Sequence, residues 1–336
     1  MKLRWLLLGL LVTLLLVPAG FLTAARVLDL PGGTWVRLVA FTPYALVLYL
    51  LALLLLLLAW ARGRGFWRGT ARLLALLSLL GVAVHAYWAS GPFVGGPTVE
   101  AATSDRPVRV MTSNLRFGRA DTAHVVELAV GHDVDVLVLE EVTPQALEGL
   151  QAAGIGQAFA HRVGRPAAGP RGTMVFSRTR LDDVRRLPTK LAGYALDVRL
   201  PGVQGAPRGR VHLLAVHPLP PIGDVSGWRA DQLVVRQAAR GLDRPTVLAG
   251  DLNATMDHAP LRELVGRGYQ DAATQARSGW QPSWPSAGVV SRLGVDVPPL
   301  VAIDHVFVKD GLRAVRTDTF SVDGTDHQAL VATLAR

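Results

Sequence analysis

Six short stretches of this 336-residue chain end in side chains suited to moving protons and steadying an anion. They are Asn114 in "VMTSNLRFG", Glu140 and Glu141 in "VLVLEEVTP", His217 in "LLAVHPLPP", Asp251 and Asn253 in "LAGDLNATMDH", Asp304 and His305 in "AIDHVFV", and Asp326 and His327 in "GTDHQAL". The chain has no cysteine, which excludes disulfides, thiolate metal sites and cysteine nucleophiles. What is left is carboxylate, amide and imidazole chemistry, and that set fits attack of water on an anionic phosphate ester. Such attack needs charge neutralised on the phosphate, and a hard divalent cation held by oxygen does this well. Glu141, Asn114 and Asp326 are oxygen donors suited to Mg²⁺, with Mn²⁺ as the alternative. Asp251 is placed to orient and deprotonate the water. His217, His327 and Asn253 can offset charge gathering on the phosphoryl oxygens. Asp304, buried, can hold one imidazole protonated and raise its pKa.

Each stretch alone has a plainer explanation. "GDLN" has the composition of a turn, "TDH" that of a helix cap, and a single histidine at a strand end is commonly structural. The repetition is what carries weight, because every cluster adjoins or lies within a short apolar, β-branched run that reads as a buried strand: four follow such a run, Asp304 and His305 lie inside one, and Asp326 and His327 open the last. The expected strands lie in "VRVMTSN", "DVDVLVL", "RVHLLAV", "PTVLAGD", "LVAIDHVFV" and "HQALVATL". Helices are expected over Thr122–Val130, from Val225 or Ser226 to Gly241, and over Asp257–Gly266. Strands interleaved with a few helices predict an α/β architecture of layered sheets, with strand direction left open.

The order of these motifs resembles the endonuclease/exonuclease/phosphatase superfamily, also called deoxyribonuclease I-like. The resemblance covers nearly all of residues 107–336 and rests on Asn114, "LEEV", "VH", "GDLNA", "IDHVFV" and "TDH" in that sequence. It implies a four-layer α/β sandwich, two packed mixed sheets flanked by helices. It also implies that Glu141 is the main metal ligand with Asn114, that His217 and Asn253 contact the phosphate, and that Asp251 positions the water. Asp304 would pair with His327, the transition-state stabiliser, and Asp326 would touch the metal or a second one. Two positions depart from the family pattern. Glu140 stands where Gln is frequent, which places an extra carboxylate beside the site, and His305 where an aromatic residue is common. Ser177 and Arg178, in "GPRGTMVFSR", are expected near the site entrance.

Ahead of this domain the composition changes. Half of the chain is hydrophobic, yet the long leucine runs lie before residue 92. Three stretches, Trp5–Thr23, Leu38–Trp60 and Leu73–Ala89, approach the roughly 20 residues a membrane-crossing helix requires. The third is the shortest and carries His85. A cleaved signal peptide is the alternative for the first, given "MKLR" and the small residues that follow the apolar run. The expected organisation is a three-helix membrane anchor over 1–92, a Gly/Pro/Ser-rich linker over 93–106, and a catalytic domain over 107–336. Lys2 and Arg4 precede the first span, and Arg62, Arg64, Arg68 and Arg72 separate the second from the third. The positive-inside rule then predicts a multi-pass protein of the cell membrane whose catalytic domain is extracytoplasmic.

The net charge of +9 belongs mainly to the anchor. From residue 107 onward there are 26 Lys+Arg against 23 Asp+Glu, not the basic footprint of a DNA-binding domain. The expected activity is therefore metal-dependent hydrolysis of a phosphate ester at the outer membrane face, on a lipid-linked phosphate. An extracellular endonuclease or exonuclease is the alternative enzyme. A non-catalytic, membrane-tethered binding module is the alternative of another class. The loop bearing Trp280 and Trp284 either rims a pocket, dips into an interface or packs as a loop.

Overall fold

A computed structural model of the chain describes residues 2–94, 107–200, 203, 206, 209–286, 291–292 and 295–335. Most of the expected linker, residues 95–106, lies outside the described residues. The chain forms two compact units, Met1–Gly91 with Asp257–Ala259, and Pro92–Met256 with Pro260–Arg336.

In the first unit α1 (Lys2–Leu28), α2 (Gly33–Val39), α3 (Tyr44–Arg62) and α4 (Phe66–Ala89) follow one another, and a short α5 (Gly91–Val94) comes next in the chain. Three helices are long and apolar enough to cross a membrane, over Leu3–Leu28, Tyr44–Arg62 and Trp67–Ala89. The bounds differ from the sequence reading for local reasons. Pro18 sits inside α1 without ending it, so the first helix runs past Thr23. Pro43 caps α3, and residues 33–39 form the separate α2, so the second span starts at Tyr44 rather than Leu38.

These helices are packed inside out. Ala19, Ala25, Ala45 and Ala52 are fully buried between helices, whereas Leu6, Leu10, Leu14, Leu54, Leu76 and Leu80 face outward. Small residues let helix backbones approach, and leucine on the outer surface suits hydrocarbon surroundings rather than water. His85 does not spoil the third span, because both ring nitrogens are occupied. Nε2 lies 2.9 Å from Thr23 Oγ1 and Nδ1 3.1 Å from the Thr42 carbonyl. These observations support membrane association.

The second unit runs β1 (Val108–Asn114), α6 (Thr122–Gly131), β2 (Val136–Glu140), α7 (Pro144–Ala152), α8 (Ile155–Ala158), β3 (His161–Gly164), β4 (Met174–Ser177), β5 (Leu181–Arg186), β6 (Tyr194–Arg199), β7 (Arg210–Ala215) and α9 (Val225–Ala238). It continues with β8 (Thr246–Asp251), α10 (Ala259–Val265), β9 (Gln270–Asp271), α11 (Ala272–Ala276), β10 (Ser291–Arg292), β11 (Val295–Asp296), β12 (Asp304–Lys309), β13 (Arg313–Ser321) and β14 (Gln328–Ala335). Among the described residues, two six-stranded sheets form in the orders β13-β14-β1-β2-β4-β3 and β5-β6-β7-β8-β12-β9. Each is mixed, with one parallel pair at its centre, β1 with β2 and β7 with β8. The expected four-layer sandwich is thus the fold observed.

Alternation along the strands builds the layers. Val108 and Val110, Val136 and Val138, Val211 and Leu213, Val247 and Ala249, and Val306 and Val308 share one core between the sheets. Residues of opposite parity on the first sheet, Met111, Leu137 and Leu139, pack instead on Val125, Val126 and Leu150 of α6 and α7. Helix starts are fixed by side-chain caps. Asp121 accepts from the Ala123 and His124 amides, Thr143 from Ala146, and Asp224 from Gly227. Each such cap is worth about 1 kcal/mol.

Candidate active site

The alternation that fills the inter-sheet core also delivers the polar side chains. Asn114 has the parity of Val108 and Val110, Glu140 that of Val136 and Val138, and His217 that of Leu213 and Ala215. Asp251 has the parity of Val247 and Ala249, and Asp304 that of Val306 and Val308. At one end of the sandwich the apolar column therefore gives way to carboxylate, amide and imidazole. β1, β2, β7 and β8 finish at that end. β12 and β14 begin there, because they pair antiparallel with β8 and β1. In that register Asp304 faces Asp251 across the β8–β12 pair.

Asp251 is the point of convergence. Its Oδ2 accepts from Asn114 Nδ2 at 3.0 Å, with Asn253 Nδ2 at 3.4 Å. His217 Nε2 lies 3.6 Å and His327 Nε2 3.8 Å from the same oxygen. His327 is held from behind, where Nδ1 donates to Asp304 Oδ2 at 2.9 Å. Glu141 stands beside this group: its Oε1 faces Asn114 Nδ2 at 3.3 Å, and its Oε2 accepts the Phe117 amide at 2.6 Å. Asp326 lies farther out, contacted by Trp284 Nε1 at 3.3 Å and by Arg116 Nε at 3.7 Å. The sequence-derived residues thus come together, with Asp251 inside and Asp326 toward the rim.

Two glycines permit this approach. A Cβ on Gly250, whose φ is 148°, would lie 1.9 Å from the Val216 carbonyl, so only glycine lets the His217 segment close on β8. A Cβ on Gly172 would lie 1.9 Å from the Val142 carbonyl, immediately after Glu141. Glu141 itself leaves its strand with φ 58°, and Asn253 turns with φ 49°. Non-glycine residues in this region carry strain, which is characteristic of functional turns.

Electrostatics divides the two imidazoles. Burial, reinforced by the His327 charge, pushes His217 below its usual range and outweighs the pull of Asp251, so it is neutral. Burial opposes charge on His327 too, but Asp304 and Asp251 overcome it and raise its pKa to about 10. Burial raises Asp251 and Glu141, although His327 opposes the rise at both. Glu140 is fully buried and accepts a hydrogen bond from Thr112 at 2.9 Å. Burial, with Asp304 and Asp251 nearby, lifts its carboxyl well above the carboxylate range. The extra carboxyl expected beside the site thus lies inside the core, where burial disfavours its charge.

Several buried carboxyls raised by desolvation, against one imidazolium, make this a place where a cation lowers the energy. One atom each of Asp251, Asp304 and His327 lies within 4.8 Å of the others, close enough to surround an ion. A protonated His327, however, has no lone pair to give a metal, so these three are an ion-paired group. Glu141 and Asp326 are the hard oxygen donors that remain, and they fit Mg²⁺ or Mn²⁺. Asn114 presents Nδ2 to Glu141 and Asp251 while its Oδ1 accepts the Arg116 amide at 2.8 Å. A half-turn of that amide, similar in shape at both ends, exchanges donor for metal-binding oxygen.

One expectation is corrected. Ser177 and Arg178 are not at the site entrance. Antiparallel pairing sets Ser177 opposite Val136, at the far end of β2 from Glu140, and Arg178 Nε donates to the Val134 carbonyl at 2.8 Å. It is the start of β4 and Gly172 that approach the site. Sequence reading also passed over Thr325, whose hydroxyl donates to the Asn114 carbonyl at 2.7 Å and accepts the His327 amide at 3.2 Å. It passed over Arg116 and Phe117 as well. Their clue is position, directly after Asn114. Of the two tryptophans, Trp284 contacts Asp326, whereas Trp280 is exposed.

The model of the Endonuclease/Exonuclease/phosphatase family matches residues 111–327. No curated protein matches the chain. Solved structures do. One is zebrafish (D. rerio) TDP2 complexed with single strand DNA product, with TM-score 0.55 and 16% identity over 69% of this chain and 100% of that one. A Bacteroides thetaiotaomicron protein of the endonuclease/exonuclease/phosphatase family gives TM-score 0.52 and 16% identity over 68% and 98%. An AP endonuclease from Archaeoglobus fulgidus gives TM-score 0.52 and 14% identity over 67% and 98%. At these identities the likeness is one of fold.

Proposed function

Since the chain belongs to the Endonuclease/Exonuclease/phosphatase family, whose members are hydrolases of phosphate esters, we propose that it is a membrane-anchored, divalent-metal-dependent phosphoesterase acting on a lipid-linked phosphate at the outer membrane face. The observation that carries the catalytic part is the meeting of Asn114, His217, Asn253 and His327 on one oxygen of Asp251.

Each residue then has a task. Asp251, a carboxylate near a neutral and a charged imidazole, orients water and accepts its proton. His327, kept charged by Asp304, donates toward the phosphoryl oxygen where negative charge builds. Neutral His217 lines the same oxygen-binding space. Asn253 fixes Asp251 by donating its amide hydrogens to Asp251 and to the Pro218 carbonyl at 3.0 Å. Glu141, with Asp326 and Asn114, would hold a divalent cation, Mg²⁺ or Mn²⁺, which would supply charge neutralisation at the phosphate.

The substrate class and location rest on the anchor. Three helices long and apolar enough to cross a membrane would tether the domain to a bilayer, and by the positive-inside rule Lys2, Arg4 and the arginines between Arg62 and Arg72 would keep the amino terminus and that segment inside. Three crossings leave the catalytic domain outside, reached through a linker over 93–106. The second reading is an extracytoplasmic nuclease, favoured by two fold neighbours, one bearing a DNA product and one an AP endonuclease. The near charge balance after residue 107 weighs against it.

The deciding experiment uses the full chain in detergent with Mg²⁺, offered a polyprenyl diphosphate, a phospholipid and plasmid DNA. Turnover of a lipid phosphate supports the proposal. Cleavage of plasmid alone reverses the substrate assignment. Protease added to intact cells should remove the C-terminal domain, and its full protection would contradict the outward orientation.

A further inference from the structure

Asp251 and Asn253 act from a turn whose backbone is itself gripped. Three successive carbonyls of that turn each meet a different buried side-chain donor. Gln232 Nε2 donates to the Leu252 carbonyl at 2.6 Å. Trp228 Nε1 donates to the Asn253 carbonyl at 3.0 Å. His305 Nε2 lies 3.1 Å from the Ala254 carbonyl and 3.1 Å from the Ala302 carbonyl. The three donors come from two elements, Trp228 and Gln232 from one face of α9 and His305 from β12. All three residues are at least 97% buried.

We infer that Trp228, Gln232 and His305 are positioning residues that hold the Asp251–Asn253 turn in its left-handed form and so set the direction of Asp251. The inference rests on the reading of Asp251 as the residue that acts on water. The physical need is plain. Asn253 sits at φ 49°, a conformation an unrestrained chain occupies rarely, and the carbonyls of residues 252–254 lie past the end of β8 and of its ladder with β12. The Asn253 amide closes the turn on Asp251 Oδ1 at 2.9 Å, and the Leu252 amide bonds the Ile303 carbonyl at 2.9 Å. With the amides used on one side and the carbonyls drawn to α9 and β12 on the other, Asp251 Oδ2 is left directed at Asn114 and the two imidazoles.

His305 gives the grip its reach. Its Nδ1 lies 3.1 Å from Asp271 Oδ1, so both ring nitrogens face acceptors and both donate. One side chain thereby ties the Asp251 turn, the segment entering Asp304, and β9. The histidine that stands where the family often has an aromatic residue keeps a ring's shape and adds two donors to it.

The test uses the full chain in detergent, with Trp228→Phe, Gln232→Met and the double variant. Gln232→Met keeps the length of the side chain without its amide, and Trp228→Phe keeps an aromatic ring but loses the indole N–H together with part of its buried bulk. Thermal melts establish that each variant folds, and two readouts follow. Hydrogen exchange should rise about tenfold in peptides covering residues 251–256, the scale of one buried hydrogen bond, while peptides of β1 and β2 stay unchanged. Hydrolysis of a chromogenic phosphodiester should lose about tenfold in kcat per variant with KM within twofold. Exchange unchanged at 251–256, or raised equally everywhere, overturns the inference whatever the wild-type activity is. Loosened exchange together with an inactive wild type would leave the clamp standing and sink the catalytic reading instead.

Discussion

The charge on His327 is the property most open to perturbation at a single position. Asp304 Oδ2 accepts from Nδ1 at 2.9 Å inside a buried pair, and the imidazole pKa is raised from 6.5 to about 10. At roughly 1.4 kcal/mol per pH unit that rise corresponds to about 5 kcal/mol net in favour of the imidazolium, the attraction of Asp304 and Asp251 less the penalty of burial. Asp304→Asn keeps the acceptor and shape and removes the charge. The other oxygen, Oδ1, has no hydrogen-bond partner among the described residues, so the new NH₂ group can sit there without displacing a bond. A neighbouring opposite charge contributes about 1–3 pH units, and taking about 2.5 of these for a buried pair in contact brings His327 in the variant to about 7.5. The charged form is the active one, so activity is complete at low pH on this limb and is lost as pH rises through the folded pKa. Wild type should hold its kcat to near pH 10, whereas the variant should begin to lose it near pH 7.5. At pH 8.5 only about a tenth of the variant would carry the proton, giving a tenfold deficit from titration alone. The assay is kcat for a chromogenic phosphodiester from pH 5 to 10.5 with Mg²⁺ fixed. A basic limb that stays near pH 10 in Asp304→Asn would show that Asp304 does not hold that proton.

Other expectations follow from the same geometry. Burial raises the Asp251 pKa, so the acid limb of kcat should lie above the usual aspartate range, with activity lost as pH falls through it. A limb at or below pH 4 would contradict that. Chelation by EDTA should abolish turnover and Mg²⁺ or Mn²⁺ should restore it, while Glu141→Gln should raise the metal concentration for half-activity at least tenfold. An unchanged metal titration in Glu141→Gln would remove Glu141 from the metal site. Gly250→Ala drives a Cβ to within 1.9 Å of the Val216 carbonyl, so melting should fall by several degrees and activity should drop with it. A variant with wild-type melting would show that β7 and β8 are not in close approach there.

Much of this was legible before any coordinates. Apolar runs ending in chemistry fixed β1, β2, β7, β8, β12 and β14, because these strands lie inside their sheets and are buried on both faces. The strands missed include the interior β6, whose buried run "YALDVR" ends in no polar cluster, and two edge strands. β5 reads "LDDVRR" and β13 "RAVRTDTFS", each exposed along one side, and such sequences carry no apolar run to notice. The misplaced Ser177 and Arg178 have the same root, since strand direction is not written in a four-residue apolar run. Parity was available but unused: Asn114, His217, Asp251 and Asp304 each fall an even number of residues from core valine, leucine or alanine. What no pattern disclosed was the support of the site. Trp228 and Gln232 lie on a helix and read as an ordinary packed face, and their bonds to residues 252 and 253 exist only once α9 is laid against β8.

Hydrolysis of bis(4-nitrophenyl) phosphate by the full-length protein in detergent puts the whole account to one test. Wild type, Asp251→Asn and His327→Gln are compared at pH 7.5 with and without Mg²⁺, each variant first shown to melt as a folded protein. The account predicts release of nitrophenolate by wild type only with the ion present, and a fall of at least a hundredfold in both variants. Turnover undiminished in Asp251→Asn, or equally fast in EDTA, would mean that the polar cluster at the end of the sandwich is not where the ester is cut.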